Sequence, residues 1–252
     1  MNKEKLVNRK EEIKVEFIDK MGDDKRVVNA ARVSFAKWDD TEEITEQDKG
    51  LLKYLATGLP KSERDDWEKR AKAHTHFSPY CHAQLSIRVT VPVFTARQLH
   101  KHVIGLIINE ESRRYITNDV KLFIPDVVHK APDHAKQGAS DEEHVGILFA
   151  YNDCNGDKHL SAKELIEYQT NQAVDVYERL LKAGVAPEEA RIVLPLNTMV
   201  TWIWTGSLLA FNRVYQQRID SHAQKTGTQE FAEKLGIILY EHFPYSMESL
   251  NS

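Results

Sequence analysis

The sequence has few cysteines and no long apolar run, and these absences exclude several classes of protein. Only Cys81 and Cys154 occur in 252 residues, so no disulfide framework is expected and both are expected to be reduced thiols. No apolar run approaches the roughly 20 residues that a helix needs to cross a bilayer. The first residues are basic and then acidic, without the apolar core of a signal peptide, which predicts a cytoplasmic protein.

The chain also lacks a basic surplus and the common glycine fingerprints of nucleotide sites. Its formal net charge of −4 argues against a general nucleic-acid binder but leaves room for a local basic pocket. None of its 11 glycines forms G-x-G-x-x-G or a Walker loop, so side chains and helix ends would have to hold a nucleotide. Guanidinium groups suit a phosphate because they bind it with two hydrogen bonds, although a lone arginine is more often a surface charge. The candidates are Arg113, Arg114, Arg191, Arg213 and Arg218.

A recognised zinc motif and a cysteine nucleophile are missing as well. His100 and His102 lie two residues apart, and no cysteine or carboxylate pair completes a known zinc spacing. Neither cysteine lies in the sequence setting of a catalytic nucleophile. We therefore expect no zinc site and no covalent catalysis through cysteine.

Residues 153–164 offer a different interpretation, a calcium-binding loop. Five side chains match positions 1, 3, 5, 9 and 12 of an EF-hand loop: Asp153, Asn155, Asp157, Ser161 and Glu164. The glycine needed at position 6 is replaced by Lys158, and a lone EF-hand is unusual. A solvated turn that caps the following helix is the favoured interpretation, and a calcium-responsive binding protein is the alternative.

The apolar periodicity predicts an α+β fold, a small antiparallel sheet with helices packed against it, formed as one domain over residues 1–252. Alternating residues predict strands at 13–19 and 84–94, and Pro92 is expected to confine the second strand to an edge or a bulge. Helical spacing predicts a short helix or turn at 26–35 and helices at 45–58 and 165–184. It also predicts a helix from Thr95 towards Gly105, a helix starting at Pro187 and a buried helix from Thr198 to Tyr215. The last predicted helix has Phe231, Leu235, Ile238 and Leu239 on one face.

Six sequence blocks occur in the order typical of one enzyme family. The blocks are AARVS, SPYCHA, RQLHKH, NEESRRY, ARIVLPL and RIDSHAQ, and together they span most of the chain. The fullest match is to N-E-x-S-x-R-Y, formed here by Asn109, Glu110, Ser112, Arg114 and Tyr115. On these blocks the chain resembles the flavin-dependent thymidylate synthases.

Two motifs depart from the family's pattern. The family's R-H-R triplet is replaced by Lys101, His102 and Val103. One extra residue also follows this triplet before the N-E-x-S block. The usual W-T-x-N-x-R becomes WTGSLL, with Ser207 at the asparagine position and Leu209 at the arginine position. Arg213 lies one helical turn after Leu209, where it could restore the missing charge.

The resemblance implies that the protein methylates dUMP to dTMP, with methylenetetrahydrofolate as carbon donor, NADPH as reductant and FAD as the source of hydride. It also implies a homotetramer whose active sites are shared between chains. The expected catalytic residues are Arg218, beside the pyrimidine, Ser112 and His82. The residues expected to bind dUMP are Gln98, Lys101, Glu110, Glu111, Ser112, Arg113, Arg114, Arg191 and Arg218. Those expected to contact the cofactor are Ser34, His82, Gln84, Lys101, His102, Glu110, Ser207, Arg213 and His222.

Neither cysteine lies in the sequence setting of a nucleophile, and this agrees with flavin chemistry, because hydride delivery from a flavin removes the need for a cysteine nucleophile. Two alternatives are open. One, which the altered R-H-R triplet makes conceivable, is a flavin-dependent methyltransferase that acts on another uracil-containing substrate. The other is an oligomeric nucleotide-binding protein that has lost catalysis.

Overall fold

The computed structural model of the protein describes residues 9–133, 138–153, 156–220 and 223–252, with the backbone alone for Trp67 and for residues 148–153 and 156–158. Its strands are β1 (Lys14–Met21), β2 (Gln84–Pro92), β3 (Leu106–Glu110), β4 (Ile147–Asp153), β5 (Gly156–Ser161) and β6 (Met199–Ser207). Its helices are α1 (Asp24–Arg32), α2 (Glu46–Thr57), α3 (Trp67–Lys72), α4 (Val93–Leu99), α5 (Ala162–Lys182), α6 (Pro187–Ala190), α7 (Leu208–Ile219), α8 (Glu230–His242) and α9 (Pro244–Leu250). Shorter helical turns lie at Val33–Phe35, Lys61–Glu63, Ser78–His82, Arg191–Val193 and Lys225–Gln229.

The main sheet is antiparallel and has the strand order β1-β2-β6-β3. Strands β2 and β6 pair along their whole lengths, from Gln84 opposite Ser207 to Pro92 opposite Met199. Strand β3 pairs with the end of β6, and β1 pairs with the other side of β2. This small antiparallel sheet with packed helices confirms the predicted α+β class.

One face of the sheet forms the core. Every second residue of the two central strands points inward, and the buried set includes Ile87, Val89, Trp202 and Trp204. Helix α8 belongs to the same core: the predicted apolar face, Phe231, Leu235, Ile238 and Leu239, is buried. The rigid frame that positions the candidate site is therefore the pair of central strands with α7 and α8 packed on them.

The prediction of one buried helix from Thr198 to Tyr215 is wrong in its first half, which forms strand β6. Trp202 and Trp204 are buried, whereas Ile203 between them is 49% exposed on the opposite face. Large apolar residues on both faces hide this two-residue alternation in the sequence. From Leu208 onward the chain is helical, as predicted.

Strand β2 lies inside the sheet, so the prediction that Pro92 confines it to an edge or a bulge is also wrong. Pro92 is the last residue of the strand and the N-cap of α4, where its missing N–H interrupts the ladder only at the end. The helix predicted to run towards Gly105 stops at Leu99, and the apolar residues beyond it form strand β3 instead.

Several helix ends follow the local signals. Gly58 directly follows α2 and Gly184 lies two residues after the end of α5; their positive φ angles of 70° and 83° are a conformation that glycine adopts without a steric penalty. Pro187 is the first residue of α6, where a missing N–H is tolerated. The helix boundaries predicted at Gly58, Gly184 and Pro187 are thus confirmed.

The segment proposed as a calcium loop forms a β-hairpin. Strand β5 pairs antiparallel with β4, so the helix–loop–helix geometry of an EF-hand is not formed. Glu164, the residue at loop position 12, accepts a hydrogen bond from the Ser161 backbone N–H at 2.9 Å in a capping box that starts α5. The EF-hand interpretation is therefore wrong, and the prediction that this segment caps the following helix is confirmed. Residues 154–155 lie outside the described part of the chain.

Candidate active site

A cavity of about 990 Å³ lies between the last turn of α4, the last turn of α7 and the segment 223–226. Three residues predicted to bind the substrate, Gln98, Lys101 and Arg218, line this cavity together. Arg97 and Gln224 also line it, although the family resemblance implies no role for them. The two helices directly follow the two central strands, α4 after β2 and α7 after β6.

Arg218 is the best-anchored cation of this cavity. Its Nε–H donates to Nε2 of His102 at 3.0 Å, and an Nη2–H donates to the backbone oxygen of Gln98 at 3.2 Å. Burial lowers the pKa of Arg218 below its ordinary value, but a guanidinium remains charged in proteins. The result is a partly desolvated positive charge in a fixed orientation.

The amide of Gln98 is held by neighbours of its own. Its Nε2–H₂ group donates to the side-chain oxygen of Gln224, and its Oε1 accepts from the Thr228 hydroxyl at 3.5 Å. Gln224 in turn donates to the backbone oxygen of Thr226 at 2.8 Å. This chain of bonds sets which end of each amide faces the cavity. The residues of the RIDSHAQ block thus reach the site through Gln224 as well as through Arg218.

The N-E-E-S-R-R-Y block ends β3 with Asn109 and Glu110 and continues as a turn, and none of its residues lines this cavity. The guanidinium of Arg113 donates to two backbone oxygens of the same turn, those of Asn118, at 2.9 Å, and of Asp119. Arg114 is exposed, with Nε–H 3.4 Å from the Ser112 hydroxyl and its guanidinium 5.2 Å from the ring centre of Tyr115. The block therefore offers Ser112 and Arg114 to a ligand at the surface, while Arg113 fastens the turn.

The two glutamates of this block differ in their surroundings. Glu110 ends β3 and its carboxylate lies 3.6 Å from Nε2 of His100. Glu111 is partly buried, which raises the pKa of its carboxyl, and its N–H donates to the Thr201 oxygen. Both hold the turn at the end of the sheet.

Arg191 lies elsewhere, at the end of α6. It is exposed, and its Nε–H donates to the backbone oxygen of Glu188 at 3.3 Å. Within one chain, neither Arg191 nor Arg114 lines the cavity that contains Arg218. The predicted dUMP residues therefore form separate groups on a single copy of the protein.

Three of the predicted cofactor residues, His82, Gln84 and Ser207, lie at one end of the sheet. Gln84 and Ser207 face each other across β2 and β6, and the exposed His82 precedes Gln84 by two residues. The Ser207 hydroxyl also caps α7 by accepting the Ala210 N–H at 3.2 Å. Ser34 lines a second cavity, of about 610 Å³, which reaches the other end of the short helix that contains His82.

The turn 101–105 joins this end of the sheet to the larger cavity. A Cβ on Gly206 would collide with the carbonyl oxygen of Gly105, so only glycine lets the turn approach β6 this closely. Val103 and Ile104 of the turn are 68% and 79% exposed. An apolar surface therefore lies beside the polar pair at the end of β2 and β6.

The side chains of Arg213 and Leu209 have different surroundings. Leu209 is 8% exposed and belongs to the core, whereas Arg213 is exposed and does not line the larger cavity. The substitution of arginine by leucine at position 209 thus agrees with a buried site. His222, the remaining cofactor candidate, lies outside the described residues.

Three further features concern metal ligands, membrane spans and cysteines. In the described ranges, no group of three or more His, Cys, Asp or Glu side chains is placed to hold a metal ion. Among the described helices, none combines the length and apolar character that a membrane-spanning segment requires. Cys81 is an exposed free thiol, and Cys154 lies outside the described residues.

Known proteins are similar to this chain in sequence and in fold. The family of thymidylate synthase complementing proteins matches residues 16–245. Flavin-dependent thymidylate synthases of Thermosipho melanesiensis and Thermosipho africanus are 33% and 34% identical to the chain over 92% of its length and 88% of theirs. The crystal structure of the UMP/dUMP methylase PolB from Streptomyces cacaoi, bound with 5-Br dUMP, is similar with a TM-score of 0.71, 25% identity and coverage of 96% of both chains. The chain therefore belongs to the family of thymidylate synthase complementing proteins, which includes the flavin-dependent thymidylate synthases.

Proposed function

We propose that this protein methylates dUMP to dTMP in a flavin-dependent reaction, with methylenetetrahydrofolate as carbon donor and NADPH as reductant. The observation that carries the proposal is the cavity in which Gln98, Lys101 and Arg218 converge, in a chain whose relatives are flavin-dependent thymidylate synthases. We further propose that the chain acts as one domain in the cytoplasm.

Arg218 is the residue that we assign to the pyrimidine. Negative charge grows on the uracil ring as it is reduced, and a fixed, partly desolvated cation stabilises that charge more than it stabilises the neutral ring. The bonds to His102 and to the Gln98 backbone supply this fixed orientation without reorganisation during the reaction. Gln98 presents its amide to the same cavity and orients the base.

Ser112, Arg114 and Arg191 are the residues that we assign to the phosphate. They are exposed or partly exposed, carry hydroxyl and guanidinium donors, and lie outside the cavity of their own chain. We propose that they complete the cavity of a neighbouring copy in a homotetramer. A shared site accounts for exposed arginines that hold no carboxylate among the described residues.

The end of the sheet suits a flavin by its chemistry. An isoalloxazine ring has an apolar face and a polar edge, and Val103 and Ile104 offer the first surface while His82, Gln84 and Ser207 offer donors and acceptors for the second. Glu110 and Ser34 extend the polar surroundings. When bound, FAD supplies the hydride that the reaction consumes. The chain's own part is to hold the cofactor and to keep the substrate base oriented beside Arg218.

A ribonucleotide is the second candidate substrate. One similar structure belongs to a methylase named for both UMP and dUMP, and the R-H-R triplet of the family is altered here. Competition between UMP and dUMP in a single reaction measures the preference directly. Equal conversion of both would assign the protein to uridylate methylation in general.

The decisive experiment is product formation. Purified protein saturated with FAD is incubated without oxygen with labelled dUMP, methylenetetrahydrofolate and NADPH, and labelled dTMP is expected. Omission of the folate serves as the control, since it removes the carbon but leaves reduction of the flavin intact. Full flavin occupancy without any dTMP contradicts the proposal.

A further inference from the structure

We propose that His102 is a positioning residue, which accepts a hydrogen bond from Arg218 and, together with the Gln98 carbonyl, holds the guanidinium towards the cavity. This inference rests on the proposed function, because it concerns how the cation assigned to the pyrimidine is held. It gives His102 a role different from the flavin contact that the family resemblance implies.

Two bonds from different atoms of Arg218 fix the plane of its guanidinium. Nε–H reaches Nε2 of His102 at 3.0 Å, and Nη2–H reaches the Gln98 oxygen at 3.2 Å. A single bond would leave the planar group free to rotate about it, whereas two do not. A guanidinium has five N–H donors and these bonds use two, so it retains donors for a ligand.

Both acceptors belong to one compact turn. The His102 N–H donates to the Leu99 oxygen at 3.0 Å, and the Lys101 N–H to the Gln98 oxygen at 3.4 Å, so the turn closes directly on the end of α4. The last carbonyls of a helix carry partial negative charge, which suits a cation arriving from α7. The ends of α4 and α7 are thereby joined through Arg218.

The contact requires an uncharged imidazole. A protonated ring has no lone pair on Nε2 and would repel the guanidinium. Burial, and secondly the charge of Arg218, lower the pKa of His102 to about 4, so the ring is neutral near pH 7. Because Nε2 accepts, the ring proton lies on Nδ1. The neutral state of the His102 ring therefore agrees with its role as acceptor of the Arg218 hydrogen bond.

Substitution of His102 tests the orientation of Arg218 without changing its charge. His102→Leu leaves the charge of Arg218 in place but removes one of the two hydrogen bonds that orient its guanidinium. The transition state should therefore lose more electrostatic stabilisation than the bound substrate does. The expected fall in kcat is about tenfold to a hundredfold. KM for dUMP should stay within about threefold, because uniform binding is little changed.

His102→Gln is the conservative variant, since an amide oxygen can accept the same hydrogen bond. It should recover most of the kcat that His102→Leu loses. His74→Leu, the same change at an exposed histidine outside both cavities, serves as the matched control and should behave as wild type. Flavin content is measured for every variant, with kinetics at saturating FAD. If excess FAD restores the kcat of His102→Leu to the wild-type value, the positioning role is wrong. It is also wrong if His102→Gln has no higher kcat than His102→Leu.

A readout independent of activity keeps the two proposals apart. With histidine labelled at Cε1, the NMR titration midpoint of His102 should lie near pH 4 in the wild type and rise in Arg218→Leu, which removes the neighbouring charge. A rise in Arg218→Leu, together with a wild type that makes no dTMP, supports the contact and contradicts the proposed function. An unchanged midpoint overturns the contact, whatever the activity.

Discussion

The arginine in the cavity and the arginine on the turn after β3 have opposite surroundings. Arg218 is partly buried and bonded to His102 and Gln98, whereas Arg114 is exposed and contacts Ser112 and Tyr115 from its own turn. A fixed, desolvated charge suits a group that must stabilise a transition state. An exposed charge suits a group that meets its ligand at a surface, which supports our proposal that two copies of the chain supply the two ends of a nucleotide site.

The largest effect is expected at Arg218. Arg218→Ala should lower kcat by about one to two powers of ten, because it removes a charge-assisted contact that strengthens in the transition state. KM for dUMP should change much less. Steady-state kinetics with saturating FAD test this, and a wild-type kcat would remove Arg218 from the chemistry.

A smaller effect of a different kind is expected at Arg114. The phosphate contact that we propose for it would be equal in the ground and transition states, so Arg114→Ala should raise KM for dUMP by about tenfold and leave kcat near wild type. Arg114→Lys should restore only part of the affinity, since an ammonium cannot form the two parallel hydrogen bonds of a guanidinium. If lysine restores binding fully, the bidentate contact is wrong.

A weaker effect is expected at Arg213, the candidate replacement for the family's missing arginine. Arg213→Ala should weaken flavin retention by only a few-fold, because an exposed charge contributes about 1 kcal/mol or less. The direct exchange Leu209→Arg is a poor test, since it would bury a charge in the core. Flavin dissociation constants for Arg213→Ala and for Lys182→Ala, an exposed control on α5, should differ; equal values would remove Arg213 from the flavin site.

The smallest effect is expected from the cysteines. Replacing Cys81 and Cys154 together with serine should leave kcat within a few-fold of wild type, because hydride delivery from a flavin needs no thiol nucleophile. Circular dichroism checks that the double variant is folded. A thousandfold loss in a folded protein would indicate nucleophilic catalysis and contradict the flavin mechanism.

Local signals in the sequence predicted much of the fold. Strand β1 and the ends of α2 and α5 were predictable because alternation and the glycines at 58 and 184 act on the neighbouring backbone. Strand β6 was not, since apolar side chains lie on both of its faces. Strand β3 was missed because its pairing partner lies about ninety residues further along the chain, beyond the reach of any local pattern.

The site was predictable in its residues more than in its arrangement. The family resemblance named Arg218 and His102, but their bond joins residues 116 positions apart and depends on how α4 and α7 pack. Likewise, no pattern in the sequence shows that Arg113 turns back onto the oxygens of Asn118 and Asp119 while its neighbour Arg114 stays exposed. Such roles are decided by the folded backbone.

The most direct test of a site shared between copies is to combine two defective chains. Arg218→Ala and Arg114→Ala, each with its own affinity tag, are expressed together, and the mixed assemblies are assayed at dUMP concentrations below the wild-type KM. If one copy supplies Arg218 and another supplies Arg114, random mixing gives wild-type sites in about a quarter of cases, and activity should rise towards that level. Activity that stays at the average of the two parent variants would show that both arginines of a site come from one chain, and would contradict the account.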